Sequence, residues 1–224
     1  MTVHFQREIE KLKSKLLHLC ALVEDGLRRA VESLESRDTE MAAAVVARDN
    51  EIDRLEVDLE EDCLKILALH QPVAIDLRFV ITALKINNDL ERVGDLAVNI
   101  AERTIDLATA PLAESPVDLT DMVQVTVSML QKSIDALVNL DARLAAEVAR
   151  SDDRIDDMHR QTFAQITEAI RARPEHTAAL LSLLSVSRHL ERIADHATNI
   201  AEDVIYMVEG RIARHAGNDG ATPR

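Results

Sequence analysis

Aromatic residues make up only 2% of this 224-residue chain, and tryptophan is absent. Its core therefore has to be aliphatic, and at 47% hydrophobic residues the material for one is present. Glycine and proline are scarce, at five each. Few breakers beside abundant Ala, Leu, Glu and Arg point to long helices. No hairpin signal such as Asn-Gly lies between alternating runs, so the expected fold is all-α. Only Cys20 and Cys63 are present, each among apolar helical neighbours. They read as buried, unpaired thiols in a reducing cytoplasm. Long hydrophobic runs are also missing. The longest uncharged stretch, Thr177 to Ser187, has eleven residues, about half of the ~20 needed to span a bilayer. The start, MTVHFQREIEKLK, has no apolar signal core. Positive charge is in deficit, with 26 Lys and Arg against 40 Asp and Glu, a net charge of −14. That surface repels phosphate backbones and argues against nucleic acid as a partner and against a polybasic membrane anchor.

The few prolines partition what remains. Pro111 and Pro116 bracket the gap PLAESP, and Pro72 and Pro174 each lie just ahead of the last helix of a half. Proline is tolerated at helix starts and rejected inside helices. Six helices are expected, at about 4–35, 39–70, 73–108, 118–139, 142–171 and 175–213, with Asp38 and Asp141 capping the second and fifth. They group into two tandem pseudo-symmetric three-helix bundles, 1–112 and 113–215. A polar, frayed tail follows at 216–224.

The grouping rests on an internal repeat. Leu90 to Glu102 reads LERVGDLAVNIAE, and Leu190 to Glu202 reads LERIADHATNIAE, identical at nine of thirteen positions. Upstream, Val31, Leu34, Asp38, Val45, Asp49, Ile52 and Asp53 recur as Ile134, Leu137, Asp141, Val148, Asp152, Ile155 and Asp156. A period near 100 residues is too long for a solenoid and fits a duplicated bundle.

On a helical projection Asp95, Asn99 and Glu102 fall within about 80° of Glu91, opposite Leu90, Val93, Ala97 and Ile100. Glu191, Asp195, Asn199 and Glu202 repeat the stripe in the second half. The carboxylates thus line the polar, outward face of an amphipathic helix. A solvated face is the plain reading of such a stripe. Like charges four apart nevertheless destabilise a helix by about 0.2–0.5 kcal/mol, and here the residue types recur, not just the polarity. A second acidic pair lies on each preceding helix: Asp49 with Asp53, and Asp152 with Asp156. Two neighbouring helices, each with an i, i+4 carboxylate pair, can converge on a hard cation. Oxygen ligands of this kind suit Mg, Ca, Mn or Fe. Enzyme signatures are weak by comparison. There is no Glu-x-x-His (the nearest is Asp156-x-x-His159), no Gly-rich phosphate loop and no Gly-x-Ser-x-Gly turn. The eight histidines are scattered, and His196 reads as a surface residue.

The duplicated Leu-Glu-Arg-Ile/Val-Gly/Ala-Asp-x-Ala-x-Asn-Ile-Ala-Glu segment resembles the signature of the PhoU family, and Pro72-Val-Ala-Ile-Asp76-Leu77-Arg78 resembles the run ahead of that family's first signature helix. The resemblance spans about residues 5–213. It implies paired three-helix bundles, often dimeric, acting in the cytoplasm at the inner membrane face. The implied function is regulation of phosphate uptake and of the phosphate regulon, linking the ATPase subunit of the phosphate ABC transporter to the phosphate-sensing histidine kinase. The implied cofactor is a divalent or trivalent metal ion (iron, manganese, magnesium or zinc), single or multinuclear. Its ligands would be the pairs Glu91/Asp95, Glu191/Asp195, Asp49/Asp53 and Asp152/Asp156, with Asn99, Asn199, Glu102 and Glu202 as additions. Arg92 and Arg192 would orient these carboxylates. The second half departs from the pattern, with Arg173-Pro174-Glu175 and no Asp-Leu-Arg, and with Ala194 in place of Gly94. A metal-dependent phosphoester hydrolase and a purely structural helical adaptor are the competing readings.

Overall fold

A computed structural model describes residues 3–110 and 115–211, so the Pro111 side of the gap and the expected tail lie outside the described residues. Among the described residues seven α-helices follow in order, α1 (Val3–Ser36), α2 (Thr39–His70), α3 (Ala74–Thr109), α4 (Thr120–Asn139), α5 (Ala142–Ala149), α6 (Asp152–Ala172) and α7 (Thr177–Glu209), with a 3₁₀ turn at Pro174–His176. There is no strand among the described residues, and none of their helices is long and apolar enough to cross a membrane.

The two expected caps form. Asp38 accepts from the backbone N–H groups of Glu40 and Met41, at 3.0 and 2.9 Å. Asp141 does the same for Arg143 and Leu144, at 2.9 and 3.0 Å. Each satisfies donors that a helix start leaves open. Asp38→Ala and Asp141→Ala should each cost about 1 kcal/mol, read as a melting temperature about 2–4 °C lower. An unchanged melting curve would show that water replaces the cap.

The expected helix over 142–171 is broken. Ser151 N–H donates to Val148 O at 2.9 Å, a tightened i−3 bond, while its hydroxyl donates to Glu147 O at 3.1 Å. That side-chain bond competes for the helical carbonyl and separates α5 from α6. In the first half Arg48 occupies the matching position and α2 runs on uninterrupted.

The interior is aliphatic and continuous. Leu12, Leu19, Leu59, Ile86, Leu90, Leu130, Ile155, Leu190 and Ile200 belong to one cluster drawing on all seven helices. Cys20 and Cys63 lie in it as free thiols, as their neighbours suggested. The two signature helices, α3 and α7, make the most extensive helix pair among the described residues. Arg78 of the Asp-Leu-Arg run reaches across this joint to Gly210, where φ is +71° and any Cβ would collide with the guanidinium. The left-handed helix end favours glycine, although Gln71 and Leu140 hold the same conformation at the ends of α2 and α4; a side chain at 210 would also have to displace the flexible Arg78 arm.

Candidate metal centre

Along α2 and α3 the acidic residues face each other across a seam. Asp49 and Glu91 are half-buried, and Asp49 Oδ1 and Glu91 Oε2 are buried with no hydrogen-bond partner. Burial raises the Asp49 carboxyl above its ordinary value, and the charges of Asp53 and Asp95 raise it further. Glu91 is raised by burial, then by Asp95, Glu56 and Asp53, with Arg92 opposing. Part of the stripe expected to face outward thus borders the helix–helix joint: Asp49 and Glu91 are half-buried beside the Ile52–Gly94 contact, while Asp53 and Glu102 stay exposed. Arg92 acts as expected: its Nε lies 3.3 Å from Glu91 Oε2, and one terminal nitrogen lies 3.5 Å from Asp95 Oδ2.

Two residues extend this seam that the sequence alone did not single out. Asn87, one turn before Glu91, is buried and donates from Nδ2 to Glu56 O at 3.0 Å and to Glu56 Oε1 at 3.2 Å. Glu56 stands one turn after Asp53, and its carboxyl is raised by burial and by Glu60 and Asp53. Extending each acidic pair by one helical turn would have found both.

The second seam pairs α6 with α7 and differs in three places. Asp152, raised by burial and then by Asp156, receives the Thr198 hydroxyl on Oδ1 at 3.3 Å. Val98 occupies that place in the first seam and cannot donate, which accounts for the orphaned Asp49 Oδ1. At the seam's end the Glu56–Asn87 contact becomes His159 Nδ1 with Ser187 Oγ at 2.8 Å. Third, Arg192 forms no ion pair with the seam among the described residues. Without that clamp the Asp195 carboxyl climbs to about 6. Partial desolvation contributes most, followed by the charges of Asp152, Glu191 and Asp156, although the residue stays exposed at the rim.

Asp195 therefore binds its proton more tightly folded than unfolded, where its value is near 3.8. The stability this gives is fully present below pH 3.8 and is lost as pH rises through about 6. In chelator, Asp195→Asn should gain on the wild type across that window by about 1 kcal/mol, after discounting for solvent screening. Urea unfolding of both proteins at several pH values reads the difference, and a flat difference would remove Asp195 from the network.

The remaining expected ligands are placed less centrally. Glu102 is exposed and faces Arg103 at 3.6 Å, and Asn99 is half-buried one turn beyond Asp95. Asn199 donates to Asp89 Oδ1 at 3.3 Å, across the joint between the repeats, and Glu202 is half-buried a turn beyond it. His196 is not a surface residue. It is half-buried, with Nδ1 2.8 Å from the same Asp89 oxygen, because α3 covers that flank of α7. Among the described residues only His4, Glu8 and His70 bring three candidate ligand atoms within 4.8 Å of one another, at the other end of α2. No three carboxylates of either seam come that close together.

The PhoU domain model matches residues 16–104 and 119–204, one match per repeat. The phosphate-specific transport system accessory protein PhoU homolog 1 of Thermotoga maritima is 36% identical, over 98% of this chain and 97% of its own length. The PhoU homolog of Aquifex aeolicus is 38% identical, over 93% of this chain and 95% of its own. The crystal structure of PhoU from Pseudomonas aeruginosa superposes with a TM-score of 0.90 at 36% identity, covering 92% of this chain and all of that one. With both repeats matched and the whole architecture shared, the chain belongs to the PhoU family.

Proposed function

We propose that this protein is a non-enzymatic regulator of phosphate uptake and of the phosphate regulon. It works in the cytoplasm at the inner membrane face, as a homodimer, linking the ATPase subunit of the phosphate ABC transporter to the phosphate-sensing histidine kinase. Hard cations bound at the two seams, such as iron, manganese or magnesium, would set the conformation of its helical surfaces. The relatives' names, as phosphate-specific transport system accessory proteins, support the transport role. The observation that carries the cation reading is the first seam, where Asp49 holds a buried oxygen with no hydrogen-bond partner and the buried Glu91 oxygen beside it is met only by the ion pair to Arg92. Such oxygens suit a hard cation, with Asp49, Asp53, Glu91 and Asp95 as its ligands. An apolar groove lined by Leu17, Ile75, Phe79, Val138, Leu140 and Val208 offers contact area for a protein partner.

The test is co-purification of the chain with the transporter's ATPase subunit and with the sensor kinase, with and without divalent cation. Capture of both, strengthened by cation, is the expected result. Failure to capture either partner under both conditions would overturn the linking role. Phosphoester hydrolysis abolished by Asp95→Asn would favour the hydrolase instead.

A further inference from the structure

α1 and α2 run antiparallel, tied by Lys15 to Asp62 and Arg48 to Asp25, so the start of α1 meets the end of α2. His4 and Glu8 stand on successive turns of one face of α1, and His70 is the last residue of α2. Glu8 sits between the two imidazoles. Its Oε1 lies 3.3 Å from His4 Nδ1 and its Oε2 lies 2.6 Å from His70 Nε2. The two rings are tilted toward each other with centroids 5.8 Å apart. Buried Phe5 packs against the His70 ring at 5.2 Å and limits its rotation.

The plain reading is a hydrogen bond between His70 and Glu8 that closes the helix pair. It leaves His4 unexplained, because an exposed histidine has no need to turn onto a carboxylate that is already engaged. Among the described residues no Lys or Arg pairs with Glu8, so that carboxylate is not held by a permanent cation. The carbonyl end of α2 adds negative potential at the same spot. Two imidazoles and one carboxylate are the donor set of a three-ligand zinc site with an open fourth position.

We propose that His4, Glu8 and His70 form a site for a borderline divalent metal of the zinc class, fastening the start of α1 to the end of α2. Imidazole donors distinguish it from the carboxylate seams in the metal it prefers. It lies fourteen residues beyond Glu56 on α2, about 21 Å along the axis. Its occupancy does not depend on the regulatory reading, and the two can fail separately.

The test titrates cobalt(II), then zinc(II), into the full chain freed of metal, and follows the visible bands that cobalt shows when bound by imidazole at low coordination number. The wild type should bind, with zinc displacing cobalt. His4→Gln and His70→Gln should each bind at least tenfold more weakly, while Glu91→Gln/Asp95→Asn keeps the signal. His4 is exposed, so His4→Gln remains decisive even if His70→Gln loosens the helix pair. Absence of the bands in the wild type, their persistence in either histidine variant, or their loss in the seam variant would each overturn the assignment.

Discussion

Replacing Glu91 by Gln and Asp95 by Asn should invert the order of stability between variant and wild type, depending on whether a cation is present. In chelator the wild type holds Asp49, Asp53, Glu91 and Asp95 along one seam, and Asp49 and Glu91 are raised first because folding buries them and then because like charges stand beside them. Neutralising two of the four removes a buried charge and relieves the repulsion, so the variant should melt above the wild type. With a binding cation the sign reverses. A ligand at about a thousand times its dissociation constant stabilises the folded state by about 4 kcal/mol, roughly 10 °C for a chain of this size. The variant forfeits that gain at the first seam, and any residual shift reports the second. Metal content after purification without chelator should fall in parallel. If neither magnesium, manganese nor iron(II) moves the wild-type melting temperature, the cation role of the seam is wrong, and the accessory role stands without it.

The same seam shows which features a sequence can reveal. Helical phase put the four carboxylates on polar faces, and that phase holds. What the phase could not show is that the edges of the polar faces of α2 and α3 meet beside their apolar contact, bringing Asp49 and Glu91 partly out of solvent among like charges. Substitutions that look neutral in an alignment of the repeats matter for the same reason. Val98 and Thr198 are near-isosteres, yet only the hydroxyl reaches an Asp oxygen, so Asp152 is partnered where Asp49 is not. Leu96 and His196 differ because Asp89 of the opposite repeat meets His196. His4 and His70, 66 residues apart, come together only through the antiparallel pairing of α1 and α2. The spacing of His4 and Glu8 on one helix face was the local clue. By contrast, the caps at Asp38 and Asp141 rest on their own neighbouring amides, which makes them readable without the fold.

The repeats were read as two bundles, and their packing predicts that they melt as one. Lys85 Nζ donates to buried Asp203 across the α3–α7 joint at 2.8 Å, and Asp89 meets both His196 and Asn199 there. Leu90 and Leu190 are each fully buried in the single aliphatic cluster that draws on both repeats. Leu90→Ala should therefore cost about 2–5 kcal/mol, the usual range for deleting a buried leucine and leaving part of its cavity. That is roughly 10 °C in melting temperature for a chain of this size. The absence of tryptophan makes the test clean, because Tyr206 is the only tyrosine and lies on α7. Its fluorescence reports the second repeat, whereas helical circular dichroism reports the whole chain. If the repeats share one folding unit, Leu90→Ala in the first repeat shifts both signals together. If they are independent, Tyr206 keeps its wild-type transition while the dichroism splits into two steps. That outcome would make the α3–α7 joint a docking surface between domains instead of part of a common core.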